Sequence, residues 1–88
     1  MNEQTKQLER ASSRLKESIC RFYAQAIYNK KIEFRMTDLY KFVSTDTGGK
    51  VAPGSPDRVM RQLKSAGVLN YEVISRSQST YRALGVTL

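Results

Sequence analysis

The chain has 88 residues and a formal net charge of +7, from 15 Lys and Arg against 8 Asp and Glu. This length predicts a single domain, residues 1–88, and the 40% hydrophobic content is typical of a folded protein rather than a disordered one. The sequence contains no histidine. Because the usual general base, the Ser-His and Cys-His nucleophile pairs and the commonest zinc ligand are missing, we expect no enzymatic activity, no cofactor and no metal.

The cysteine content and the charge pattern indicate the cellular location and the kind of partner. Cys20 is the only cysteine and cannot form an internal disulfide, so we expect a cytoplasmic location, associated with the nucleoid if the source is bacterial or a phage. Charged residues interrupt the first 18 positions, which excludes a secretory signal, and no apolar run is long enough for a membrane helix. The basic excess therefore favours a soluble, negatively charged partner, most simply nucleic acid.

A long amphipathic helix is predicted from Glu3 to Asn29, a segment without Pro or Gly whose apolar residues recur at spacings of three and four. These apolar residues are Leu8, Ala11, Leu15, Ile19, Phe22, Tyr23 and Ala26. A small core needs roughly the second half of this helix, so Leu8, Ala11 and Leu15 are left without an obvious intramolecular partner. We therefore expect residues 1–15 to form a helical extension that either frays or mediates homodimerisation through these three side chains.

Two short elements and a loop follow the long helix. Residues 32–35 alternate apolar and charged, which predicts a strand. Thr37 is the expected N-cap of a second helix that reaches Thr45, with Asp38 in its first turn. The glycine-containing segment 46–54 is then predicted to be a turn or loop.

The third predicted helix begins at Ser55-Pro56-Asp57, with Ser as the N-cap and Pro at the first helical position, and ends at Gly67. Its inward face is predicted to carry Val59, Met60, Leu63 and Ala66, and its outward face Asp57, Arg58, Arg61, Lys64 and Ser65. Residues 68–86 are rich in β-branched and aromatic side chains and predict a hairpin with a polar turn at residues 76–79.

This order of elements resembles the winged helix-turn-helix superfamily of DNA-binding domains. In particular, residues 55–69 look like a recognition helix followed by the small residue, Gly and apolar pair that lead into the wing. The resemblance implies an α+β, mainly helical fold with three helices, a short strand and a C-terminal hairpin wing at residues 68–86. The loop 46–54 departs from the pattern, because it is longer than the turn of a compact helix-turn-helix.

The resemblance implies that the third helix enters the major groove of DNA while the hairpin tip lies along the flanking backbone or in the minor groove. The residue chemistry agrees, since Arg58 and Arg61 carry the planar fork that binds guanine and Asp57 could accept a hydrogen bond from a cytosine amine. The remaining candidate DNA contacts are Lys50, Ser55, Lys64, Ser65, Arg76, Gln78 and Arg82. We expect the tyrosines to pack in the core rather than to stack on bases; they are Tyr23, Tyr28, Tyr40, Tyr71 and Tyr81.

The sequence therefore predicts sequence-specific binding of double-stranded DNA by a small transcription regulator, a repressor that acts by occupancy. Two alternatives remain open at this stage. A winged-helix scaffold can instead present its basic surface to an acidic protein partner, and a component of replication or recombination machinery can bind duplex DNA with little specificity. A charged helix face that is merely solvated would leave the third helix without any of these roles.

Overall fold

A computed structural model of the chain describes residues 3–49, 51–52 and 54–87, with side chains from Arg14 onward. The elements are α1 (Glu3–Tyr28), β1 (Glu33–Arg35), α2 (Met36–Asp46), α3 (Ser55–Ser65), β2 (Leu69–Ser75) and β3 (Thr80–Val86). The predicted α+β class, with three helices, a short strand and a C-terminal hairpin, is confirmed. No helix within the described residues is both long and apolar enough to cross a lipid bilayer.

The three strands form one antiparallel sheet in the order β1-β3-β2, so β3 lies at the centre. Tyr81 on β3 is opposite Phe34 on β1 and Val73 on β2. The β2–β3 pairing has two register shifts, one between Asn70 and Tyr71 and one between Val73 and Ser75. Register shifts of this kind increase the local twist of a hairpin. The helices cover one face of the sheet, and the other face is open.

The hydrophobic core lies between the helices and the inner face of the sheet. The side chains of Ile19 and Tyr23 on α1 and Leu39 on α2 are fully buried. Phe34 is central among the aromatic rings, with centroid distances of 5.0 Å to Phe22 and 5.5 Å to Tyr23. The whole buried cluster is Leu15, Ile19, Tyr23, Phe34, Leu39, Val43, Val59, Met60, Leu63, Leu69, Tyr71 and Ala83.

The expectation that Leu15 lacks an intramolecular partner is wrong. Leu15 is 9% exposed and belongs to the core cluster, because it lies one turn before Ile19 on the same buried stripe of α1. The core thus uses more of α1 than its second half. Leu8 and Ala11 lie within α1, but their side chains fall outside the described ones, and their role in dimerisation stays a prediction.

The structure also corrects both predicted N-caps. Helix α2 is capped at Arg35 rather than Thr37: the backbone N–H of Arg35 donates to the Asp38 carboxylate at 3.0 Å. Helix α3 is capped at Gly54, which makes Ser55 its first helical residue. In both cases the helix begins earlier than the capping side chain suggested, because the chain is already fixed there, by strand β1 in one case and by burial of Pro56 in the other.

Two further residues differ from their predicted environments. Tyr28 was expected in the core and is 87% exposed, since it is the last residue of α1 and the chain turns away after it. Ala66 was expected to face inward and is exposed, because α3 ends before it. Tyr23 and Tyr71 are buried as predicted.

Truncation of a core leucine is expected to destabilise the fold far more than truncation of a surface leucine. Leu39→Ala removes a fully buried side chain and should lower the free energy of unfolding by about 2–5 kcal/mol. Leu84→Ala, at a position 48% exposed, is the matched control and should cost less than about 1 kcal/mol. Urea denaturation followed by circular dichroism measures both changes. Equal losses in the two variants would contradict the described core.

An ion pair between Arg21 of α1 and Asp46 at the end of α2 links these two helices on the surface. The hydrogen bond from Arg21 lowers the pKa of the Asp46 carboxyl below its usual value of 3.8. A lowered pKa in the folded state means that the ionised carboxylate favours folding. The contribution is therefore present above pH 3.8 and is lost as the pH falls through the lower, folded-state pKa.

Asp46→Asn should consequently reduce thermal stability at neutral pH and have a progressively smaller effect as the solution is made more acidic than pH 3.8. Because both side chains are solvent-exposed, the reduction at neutral pH should be small. Thermal melts of wild type and variant across an acid-to-neutral pH series measure the difference in Tm. A difference that is the same at every pH would exclude ionisation of Asp46 as its source.

Candidate nucleic-acid interface

The rotation of α3 is fixed by its buried residues, which are Pro56, Val59, Met60 and Leu63. At 100° per residue, the opposite face of the helix centres on Arg58, Arg61 and Ser65. All three are exposed, as the sequence predicted. Two guanidinium groups therefore stand one turn apart on the part of α3 that is farthest from the core. Gln62 is also exposed and borders this face, although its position was not singled out from sequence.

Arg61 does not stand alone on α3, because its guanidinium binds the carboxylate of Asp57 one turn earlier. The side chain of Arg61 is 71% exposed, while that of Asp57 is only 30% exposed. The hydrogen bond with Asp57 raises the pKa of Arg61, so this guanidinium stays charged at any physiological pH. Asp57 was predicted to accept a hydrogen bond from a cytosine amine. In the structure, its carboxylate accepts a hydrogen bond from Arg61 instead.

Lys64 is turned toward β2 rather than outward. Its ammonium Nζ donates to the backbone carbonyl of Tyr71 at 2.8 Å and lies 4.4 Å from the centroid of the Tyr71 ring. A carbonyl acceptor and an aromatic face both stabilise a cation in this position. The predicted contact of Lys64 with a phosphate would require these interactions to break, whereas Ser65 points outward without such a competing interaction within the described residues.

Arg82 lies on the open face of the sheet, away from α3. Its guanidinium binds Glu33 on β1, with an Nη2 to Oε1 distance of 3.0 Å, and Glu72 on β2. The strand register explains this arrangement, since Arg82 is directly opposite both glutamates. Side chains alternate between faces along a strand, so Tyr81 and Arg82 point to opposite sides of the sheet. The structure therefore does not bring Arg82 together with the other candidate DNA contacts.

The hairpin turn at residues 76–79 carries two predicted contacts, Arg76 and Gln78, and both are exposed. The turn is ordered locally by the hydroxyl of Ser75, which accepts from the backbone N–H of Gln78 at 3.3 Å. Its last residue, Ser79, has a positive φ of 50° and accepts a hydrogen bond from the backbone N–H of Met36 at 2.9 Å. That bond fixes the turn against the start of α2.

Tyr81 was expected to pack in the core, and sequence reasoning assigned it no part in the candidate interface. Its ring is stacked on Phe34 at a centroid distance of 5.7 Å, and it is half-buried rather than fully buried. Burial and, next, the negative charge of Asp57 raise the pKa of the Tyr81 hydroxyl, while the positive charges of Arg61 and Arg76 act in the opposite direction. The charges of Arg61 on α3 and Arg76 in the hairpin turn thus both act on this hydroxyl. Its parity with the buried Ala83 on β3 places the Tyr81 ring on the helix side of the sheet.

The two remaining predicted contacts are less well defined. Ser55 is half-buried at the start of α3, and Lys50 lies outside the described residues. The candidate contacts that are exposed are therefore Arg58, Arg61 and Ser65 on α3 and Arg76 and Gln78 in the hairpin turn. These five residues, with Asp57 and Tyr81, are called the α3–hairpin surface below. Comparison with protein-family models, curated proteins and solved structures gives no match for this chain.

Proposed function

We propose that this chain is a winged helix-turn-helix domain that binds double-stranded DNA in a sequence-specific manner and regulates transcription, as a repressor by occupancy. The observation that carries the proposal is the α3–hairpin surface, which combines outward arginines on α3 with an exposed hairpin turn that carries Arg76. The resemblance noted from the sequence points in the same direction. The order of elements in the structure and the sheet order β1-β3-β2 are compatible with it.

The dimensions of α3 suit insertion into DNA. A helix with side chains is about 10–12 Å across and the major groove is about 12 Å wide, so the exposed face of α3 can approach base edges. In this arrangement Arg58 and Arg61 donate to the O6 and N7 acceptors of guanine. The hairpin turn then meets the adjoining backbone, where Arg76 binds a phosphate and Gln78 donates to phosphate or sugar oxygens.

Charge contributes the part of the binding that does not depend on sequence. The net charge of +7 attracts the phosphate backbone, and this attraction weakens as salt rises because the counterions released on binding enter a more concentrated solution and gain less entropy. Within the described residues, Arg58 and Arg76 have no carboxylate within ion-pair distance, in contrast to Arg21, Arg61 and Arg82. Among the described residues, two cations of the α3–hairpin surface therefore have no carboxylate partner that they must leave before they bind DNA.

Selection of bound duplexes from a random DNA pool, at a low and a moderate salt concentration, tests the proposal. We expect a recurring motif that survives the higher salt, because base contacts are less salt-sensitive than phosphate contacts. Retention of DNA without a motif would indicate a low-specificity role in replication or recombination instead. Absence of retention at both salts would contradict DNA binding and favour an acidic protein partner.

Removal of Arg61 should change specificity, whereas removal of a cation elsewhere should not. Arg61→Ala is expected to cost about 1–3 kcal/mol of discrimination at one base pair of the selected motif. Lys16→Ala, an exposed position on α1, makes the same change in charge outside the α3–hairpin surface and is the control. It should weaken all duplexes alike. Titrations against the motif and its single-base variants measure both effects, and equal losses on every duplex for Arg61→Ala would refute base recognition by α3.

We further propose a homodimer formed through the N-terminal part of α1, which would pair two recognition helices on a two-fold symmetric DNA site. Leu15 is removed from this proposal because it is buried in the core. Leu8 and Ala11 remain, since they continue the apolar stripe of α1 toward its N-terminus.

Analytical ultracentrifugation at micromolar concentration tests the dimer. Wild type should sediment as a dimer and Leu8→Asp as a monomer, because a charge in an apolar helix interface is costly to bury. Ser13→Asp introduces the same charge about 140° around the helix from Leu8 and should leave the dimer intact. A wild-type protein that is monomeric at these concentrations would refute the dimer.

A further inference from the structure

The ion pair between Asp57 and Arg61 is asymmetric in its exposure. The side chain of Asp57 is 30% exposed, whereas the side chain of Arg61 is 71% exposed. On a helix, residues four apart are neighbours on the same face, so the pair forms without strain. A short side chain that is partly covered is poorly placed to touch a base edge. A long, exposed side chain tethered to it is well placed to do so.

The ion pair acts as a tether between Asp57 and Arg61. This tether matters because a free arginine is flexible. An arginine side chain has many rotamers, and part of its rotamer entropy is lost when the guanidinium docks on one base. A bound carboxylate removes some of that freedom before DNA arrives. The guanidinium has five N–H donors, and Asp57 receives its hydrogen bond from Nη2, so other donors remain for an acceptor beyond the protein.

Arg58 offers a comparison within the same helix. It is exposed on the same face of α3, yet no described carboxylate lies within ion-pair distance of it. The two arginines therefore differ in preorganisation while sharing the same chemistry and helix. Arg61 is the one whose position is set before binding.

We propose that Asp57 is a positioning residue that holds Arg61 for recognition of one base pair. The proposal rests on the proposed function, DNA recognition by α3. It changes the role of Asp57 from a reader of cytosine to a residue that sets specificity without touching DNA.

The decisive variant is Asp57→Asn, which keeps the shape of the side chain and removes its charge. Loss of a carboxylate near DNA should raise affinity for random duplexes, because one repulsive charge is gone. Loss of the tether should at the same time reduce discrimination at the base pair read by Arg61 by about tenfold. Two effects of opposite sign separate a positioning role from general damage to the fold, which would lower affinity for every duplex.

Glu72→Gln is the matched control, since Glu72 is a carboxylate paired with Arg82 on the open face of the sheet. It makes the same change in net charge and should raise affinity for random duplexes without altering discrimination at any base pair. In an Arg61→Ala background, Asp57→Asn should have no further effect on discrimination.

Unchanged discrimination in Asp57→Asn, with the wild type selecting a motif, would overturn the positioning role and leave the proposed function standing. A wild-type protein that selects no motif would overturn the proposed function instead. The tether is then judged in the free protein by NMR relaxation of the Arg61 Nε–H group. Restricted motion in wild type and increased motion in Asp57→Asn would support it, and equal motion in both would overturn it.

Discussion

The packing of Phe34 is the contact on which the placement of the other elements depends. Strand β1 has three residues and could not hold its register by hydrogen bonds alone, yet Phe34 contacts Phe22 and Tyr23 on α1 and Tyr81 on β3. A slip by one residue would move Phe34 from the core to the open face of the sheet. Burial of this one ring therefore fixes the sheet against α1, and its stacking on Tyr81 fixes β1 against the hairpin.

The positively charged residues of the chain do not contribute equally to the surface potential. Arg82 is matched by two glutamates on neighbouring strands and Arg21 by Asp46, so these cations add little to the local potential. The guanidinium groups of Arg58 and Arg76 are not matched by carboxylates among the described residues. The positive potential that a polyanion would meet therefore depends on which cations are paired. On the open face of the sheet, the group of Arg82, Glu33 and Glu72 carries a net charge of −1.

Local sequence patterns predicted the elements well because helix periodicity, Pro at a helix start and Gly at a helix end act within a few residues. They failed where the outcome depends on register or on distant partners. Arg82 lies opposite Glu33, which is far away in sequence, and only the sheet order brings them together. Lys64 was expected to face outward on the periodicity of α3, but a carbonyl on β2 attracts its ammonium. Leu15 was misplaced because the depth to which α1 enters the core is a property of the whole packing. Recognition of DNA stays a prediction, since it follows from the chemistry of the exposed residues.

The register shifts in the hairpin and the position of Lys64 have a consequence for solubility. Strand β2 lies at the edge of the sheet and carries Val73 and Ile74, which are 41% and 44% exposed. An apolar, regular edge of this kind invites strands of other molecules to add to it. Here the shift between Val73 and Ser75 interrupts the regular pairing of the edge, and the ammonium of Lys64 occupies the Tyr71 carbonyl. A small basic protein at high local concentration is thereby protected against intermolecular sheet extension by the same lysine that fastens α3 to the sheet.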